Sequence, residues 1–376
     1  MHGAITLPPI RGIHVYIHWT FLLLFGWIVL VNTEQENTLT ELFWSVLFVL
    51  AVFACVLLHE LGHSVVAARF GIKANNIVLL PVGGVAAIEK FPDNPRQELL
   101  ISFAGPLVNV FIALLLTPFF HPYALLSQGL SGNGISHATS FLYSLYIANI
   151  VLAVFNLAPA FPLDGGRIFR ALLALVFRIN YIRATTIASF TGKLVAVIFI
   201  GAGIILFNPI LPLIGIFIIF AASTEEYYLR LRSLVKGIKL KEVMMYDYNS
   251  LEANMPVKEA ANILLNNHSD YFILMDNGTP IGSINRMEII KAVAEMKYEL
   301  LLKQLLKEDL QYLQAEEDVD NVLERLAGSD NRVYPVMENS HFAGVINFSH
   351  LIEYLLLHKA TTKEYGRVRS LVGLIK

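Results

Sequence analysis

Two histidines four positions apart, His59 and His63, bracket Glu60 in a run from Leu42 to Val66 that holds no other charged residue. On a helix, positions i and i+4 share a face, so both imidazoles can reach one cation. In His59-Glu60-Leu61-Gly62-His63 this spacing fits a zinc site whose glutamate is the general base. Ionisable groups inside an apolar span cost roughly 2.5–3.5 kcal/mol each on insertion scales, so they usually mark function. The bland alternative is three polar groups satisfying one another in a bundle core. Catalytic zinc usually takes three protein ligands and a water. Asp164 is the candidate third ligand. It ends the longest uncharged stretch of the chain, after Pro159 and Pro162 and before Gly165 and Gly166. The prolines break a helix, and irregular backbone at membrane depth is tolerated only where protein buries it or it lines a wet cavity. An Asp there can turn toward a metal, or it can be an interfacial residue of a loop leaving the membrane.

The elements that must hold these residues are membrane helices. Of 376 residues, 55% are hydrophobic and 15% charged, against about 25% charged in soluble domains. The deficit is concentrated in four tracts, Gly12–Thr33, Leu42–Val66, Leu99–Leu163 and Leu194–Thr224, and composition becomes ordinary after about Glu225. Six spans of about 20 residues are expected at about 15–32, 43–68, 99–120, 139–159, 188–207 and 210–228. One set of span ends carries Arg11, Arg69, Lys73, Lys90, Arg96, Arg167, Arg170, Arg178, Arg183, Arg230, Arg232 and Lys236. The opposite loops carry no Lys or Arg. The positive-inside rule then puts both termini in the cytosol. Residues from about Arg167 to Arg183 read as an interfacial amphipathic helix. His63 lies ~9 Å of helix before Arg69, which sets the site in the cytosolic half of the bilayer. The net charge of −2 gives no reason to expect nucleic acid as a partner. The lone cysteine, Cys55, reads as a packed core thiol.

With Asn156-Leu157-Ala158-Pro159 and Leu163-Asp164-Gly165 joined to the histidine motif, the chain over roughly residues 10–230 resembles the site-2 protease family of intramembrane metalloproteases. Pro81-Val82-Gly83-Gly84 and Ala104-Gly105-Pro106-Leu107-Val108-Asn109 are part of the resemblance. It implies an α-helical membrane domain over residues 1–230, with zinc on His59, His63 and Asp164 and Glu60 as the base. It also implies that Asn156 lies near the active site, holding substrate or the developing oxyanion. The substrates would be transmembrane segments of other proteins. The apolar stretch 77–88 is too short to span. It reads either as a re-entrant edge that pairs with unwound substrate or as an interfacial hairpin.

Residues 238–376 contain a weak internal repeat. Each copy has a strand, a turn, a second strand and a helix, seen at Tyr271–Met275 with Ile281–Ile284 and at Val333–Met337 with Phe342–Ile346. The pattern resembles a pair of α+β cystathionine-β-synthase (CBS) domains, 238–300 and 301–376. That resemblance implies a cytosolic regulatory module, a homodimer, or an adenine nucleotide bound between repeats. At the positions where the family holds ribose with Thr or Ser and Asp, this chain has Asn285 with Glu288 and Asn347 with His350. A CBS-regulated transporter or channel would also explain intramembrane charges, but not zinc-ligand spacing joined to a distant Asp among prolines.

Overall fold

The computed structural model describes residues 4–10, 12–34, 38–72, 74–80, 83–88, 92, 94–119, 137–306, 311–328, 333–339 and 341–359. It divides into two units, Met1–Glu226 and Tyr227–Lys376.

The first unit begins with strands β1 (Ala4–Ile10) and β2 (Ile13–His18), followed by helices α1 (Phe21–Glu34) and α2 (Leu39–Arg69). Strands β3 (Ala74–Leu80) and β4 (Gly83–Ile88) come next, and then helices α3 (Pro95–Leu116), α4 (His137–Asn156), α5 (Asp164–Val176), α6 (Tyr181–Ile205) and α7 (Ile210–Val235). Five helices among the described residues are long and apolar enough to cross a membrane: Leu39–Arg69, Pro95–Phe119, Thr139–Asn156, Tyr181–Ile205 and Ile210–Val235. The expectation of six is corrected at the first span. Residues Ile13–His18 are a strand, and the helix after it has 14 residues, ~21 Å of rise against a ~30 Å hydrocarbon core. The reason is a period of two. Ile13, Val15 and Ile17 alternate, and with Ile77 and Leu79 they pack on Val56, Leu57 and Leu61 of α2. The sheet runs β1-β2-β3-β4, with β2 and β3 parallel and the outer pairs antiparallel. Among the described residues, one edge of β4 therefore has no strand paired to it.

Local signals set the helix ends. Thr38 and Glu41 form a capping box at the start of α2, and Asn94 accepts from the Arg96 amide ahead of Pro95 at the start of α3. On α3, Glu98, Ile101, Ser102, Gly105, Asn109 and Ala113 are buried, a single stripe of near-helical period. Leu107, Phe111 and Leu114 are exposed on its other side, as are Val154, Ile198 and Ile205 on later helices, and Phe207 between α6 and α7 is 94% exposed. In water so many large apolar groups would drive association, but in lipid they are solvated. Helices α6 and α7 meet through small residues. Ala188, Ala196 and Ala222 are fully buried, and Ser189 Oγ donates to the Ala222 carbonyl at 3.1 Å. Between α4 and α5 the chain leaves helical geometry, with Ala160 and Phe161 fully buried. Protein thus covers the middle of this irregular stretch, while Pro159 and Pro162 on either side of it are exposed. Arg170 of α5, expected at an interface, is instead 1% exposed. The polar side of α5 faces protein because ionic partners are there.

In the second unit a one-turn helix, α8 (Leu240–Val243), precedes two copies of one motif. The first copy has β5 (Ser250–Glu252), α9 (Val257–Asn266), β6 (Tyr271–Asp276), β7 (Thr279–Asn285) and α10 (Arg286–Ala294). The second has β8 (Leu313–Gln314), α11 (Val319–Gly328), β9 (Tyr334–Glu338), β10 (His341–Ile346) and α12 (Phe348–Lys359). In both copies the first strand pairs parallel to the second and the second antiparallel to the third. The expected repeat is therefore a repeat of topology. Leu231, Leu234 and Val235, the last turns of α7, join the core built on the second copy.

Candidate metal centre

His59 and His63 lie one turn apart on α2, each 6% exposed, with rings 4.8 Å apart and nearly perpendicular. Each ring has its Nδ1 committed elsewhere. His63 Nδ1 donates to the Ile101 carbonyl of α3 at 2.7 Å, and His59 Nδ1 makes a short hydrogen bond to Asn109 Oδ1, also on α3. A carbonyl oxygen cannot donate, so Nδ1 carries the hydrogen and Nε2 presents a lone pair.

Asp164, the first residue of α5, completes the set. Its Oδ2 lies 3.1 Å from His59 Nε2 and 3.2 Å from His63 Nε2, and the two Nε2 atoms are 3.1 Å apart. Three lone-pair donors form a near-equilateral triangle. Tetrahedral ligands about 2.0–2.1 Å from zinc would stand about 3.4 Å from one another. Two imidazole lone pairs and a carboxylate oxygen at these separations repel unless a cation lies among them. The donor set therefore fits a divalent metal, and all of the ligand atoms lie within 4.8 Å of one another.

Gly105 of α3 closes the other side. A Cβ placed there would lie 2.2 Å from His63 Nε2 and 2.6 Å from His59 Nε2. Only a residue without a side chain leaves the donor atoms their space. Gly84 of β4 abuts the glutamate between the histidines: a Cβ there would come within 2.8 Å of Glu60 Cγ. Glu60 itself is half-buried, and Asn156, also half-buried, is the last residue of α4. The structure thus brings His59, His63 and Asp164 together and seats Glu60 against the four-stranded sheet, while Asn156 ends the helix before the Asp164 loop.

Gly105 and Asn109 lie in a motif that the resemblance includes but to which residue order gave no role, and Asn149 was not singled out. Asn149 Oδ1 accepts from Asn109 Nδ2 at 2.9 Å, and both asparagines are fully buried. The available signal was their type: a polar side chain in an uncharged span has to find a partner. Cys55, expected as a packed thiol, is buried and accepts from Asn149 Nδ2 at 3.4 Å.

Elsewhere in this unit, Arg170 Nε donates to Glu98 Oε1 at 2.9 Å, and its Nη1 donates to Glu225 Oε1 at 3.3 Å. Tyr181 donates to Glu98 Oε2 at 3.0 Å, and the guanidinium lies about 5.0 Å from the ring centroids of Phe161 and Tyr181. In the second unit, Asn285 Oδ1 accepts from the Met287 amide at 2.7 Å and Asn347 Oδ1 accepts from the His350 amide at 2.8 Å. Both asparagines cap helices.

The family model described as peptidase family M50 matches residues 47–130 and 121–200, and that of the CBS domain matches 240–295 and 302–357. The chain is 34% identical over 347 residues to zinc metalloprotease MJ0392 of Methanocaldococcus jannaschii, spanning 92% of this chain and 94% of that one. It is 30% identical over 302 residues to Rip3 of Mycobacterium tuberculosis, 76% of this chain and 75% of the relative. Among solved structures, the site-2 protease from Methanocaldococcus jannaschii is 39% identical and covers 59% of this chain and 95% of its own, with a TM-score of 0.44.

Proposed function

The chain belongs to peptidase family M50 and is a zinc metalloprotease; from that premise we propose that it cuts membrane proteins within or near their transmembrane segments. The observation that carries the reading is the convergence of His59 Nε2, His63 Nε2 and Asp164 Oδ2 among helices whose outer faces are apolar. In the proposal these three residues hold the metal, Glu60 is the general base and Asn156 an oxyanion donor.

Zinc, when bound, supplies a Lewis acid that lowers the pKa of a water to about 7. Glu60 accepts that water's proton as its oxygen attacks the scissile carbonyl carbon. The C–N bond then breaks, and Glu60 returns the proton to the leaving amine. Asn156 Nδ2 donates to the carbonyl oxygen as charge grows on it. A helical substrate hides its carbonyls in backbone hydrogen bonds and must unwind first. The outer edge of β4, whose Gly84 touches Glu60, gives an unwound segment a strand to pair with beside the base.

Both termini and the CBS pair face the cytosol on the charge asymmetry of the loops, and cuts fall in the cytosolic half of the substrate span. The pair acts as a regulatory and dimerisation module. Asn285 and Asn347 cap helices where the CBS family holds ribose, and calorimetry with ATP and AMP tests whether the pair takes an adenine nucleotide between its repeats: absence of heat would remove that ligand.

The test is cleavage of single-span proteins in liposomes by wild type and Glu60→Gln. The variant should keep one zinc per chain and lose cleavage. Retained cleavage would remove Glu60 from the base role, and a chain holding no zinc would favour a CBS-regulated transporter.

A further inference from the structure

Behind His59, on the side away from the metal donors, runs a chain of hydrogen bonds whose direction is fixed at its far end. Asn149 Nδ2 donates to the Leu145 carbonyl at 2.9 Å and to Cys55 Sγ at 3.4 Å. A backbone carbonyl can only accept, so the Asn149 amide has one orientation, with both of its N–H groups used and Oδ1 turned to Asn109. Asn109 must then donate from Nδ2, at 2.9 Å, which leaves its own Oδ1 toward His59. That oxygen can only accept, so His59 Nδ1 carries the hydrogen.

We infer that Asn109 and Asn149 are positioning residues: with the Leu145 carbonyl they form a directional relay that locks the His59 ring in orientation and tautomer with its Nε2 lone pair toward the metal site. The inference rests on the metal reading above. His63 reaches the same tautomer through a single backbone carbonyl, Ile101, which no side-chain substitution removes. The relay is confined to His59, links α2, α3 and α4, and lies wholly out of water, since Asn109 and Asn149 are 0% exposed and Cys55 6%. With no solvent to offer an alternative acceptor, loss of Asn109 leaves the Nδ1 hydrogen unpaired and the ring free to turn or to change tautomer. Partners of this kind typically govern 10–100-fold in metal affinity. Interhelical hydrogen bonds contribute little to membrane-protein stability, so the variants should fold.

The experiment measures zinc affinity of the full-length protein in detergent by chelator competition, with thermal melting alongside. The chains compared are wild type, His59→Ala, Asn109→Leu, Asn109→Asp and Asn149→Leu. Asn109→Leu should weaken zinc roughly 10–100-fold with little change in melting. Asn109→Asp keeps an acceptor for His59 and should recover most of that loss. Asn149→Leu touches no donor atom and should weaken zinc by a smaller factor. Folded Asn109→Leu that holds zinc as tightly as wild type overturns the relay, and so does equal loss in the Leu and Asp variants. Either result leaves the metal reading standing while His59→Ala loses zinc. If wild type binds no better than His59→Ala, the metal reading itself has failed.

Discussion

The first unit buries two polar clusters, and α3 and α5 contribute to both. At the metal centre, Gly105 and Asn109 of α3 and Asp164 of α5 meet the histidines of α2. In the other cluster, Glu98 of α3 and Arg170 of α5 meet Tyr181 of α6 and Glu225 of α7. The second supplies its own cation. Arg170 donates to two carboxylates and lies beside two aromatic rings, so the charges there answer one another. The first has only acceptors turned inward: two imidazole lone pairs and a carboxylate oxygen, with the imidazole hydrogens spent on the far side. One cluster is closed and holds helices together, while the other presents three ligand atoms to one point where a cation can sit. Burial alone does not distinguish a structural network from a site, but the balance of donors and acceptors does.

The largest expected effect comes from filling the open cluster. Gly105→Ala places a methyl 2.2 Å from His63 Nε2, so zinc per chain should fall at least tenfold and cleavage should disappear while the fold persists. Metal analysis beside a melting curve checks this, and full zinc occupancy would end the contrast between the clusters. The closed cluster should break differently. Arg170→Met leaves Glu98, 0% exposed, with the Tyr181 hydroxyl but no cation and should cost about 3–5 kcal/mol of stability. Arg170→Met with Glu98→Leu should recover most of that, because replacing a buried pair by apolar groups is often neutral. Denaturant titration in detergent reads both, and a silent single variant would show that the cluster holds nothing.

One ion pair and one ion triad of the second unit sharpen the scale as water is admitted. Arg232 Nε donates to Asp320 Oδ1 at 2.7 Å, with side chains 12% and 11% exposed, and Asp320→Asn should cost about 1–2 kcal/mol in a double-mutant cycle with Arg232→Ala. Glu316, its side chain 59% exposed, bonds Lys239 and Lys241, and these hold its carboxyl down at about 2. A depressed carboxylate contributes above its unfolded value and loses that contribution as pH falls through the folded one. Exposure and salt screen the triad. Melting of Glu316→Gln should therefore match wild type at pH 5 to 8 in physiological salt, and a shift there would mean the triad counts despite its exposure.

Much of this was legible in residue order. The charge-free tracts gave the long helices, since each must bury its backbone hydrogen bonds within itself and hide no charge from lipid. Spacing put His59 and His63 on one face, and prolines beside Asp164 marked a break that could carry a third ligand. The first span misled because Ile13–His18 is apolar enough for a helix, yet its alternation served a sheet. Arg170 misled because amphipathicity states that a polar face exists, not whether water or Glu98 meets it.

The sequence by itself therefore determined the chemistry on offer: a pair of imidazoles with a carboxylate between them, a distant aspartate, apolar helices to hold them, and a duplicated α+β tail. Tertiary structure alone decided that Asp164 comes within 3.2 Å of both imidazoles, that Gly105 leaves room between them, and that Asn109 and Asn149 orient one ring. The reason is range. Helical period and backbone breaks act over a few residues and can be read along the chain. The partners of His59 stand 50 and 105 positions away, and only the packing of one helix on another selects which of the many polar groups at such distances they will be.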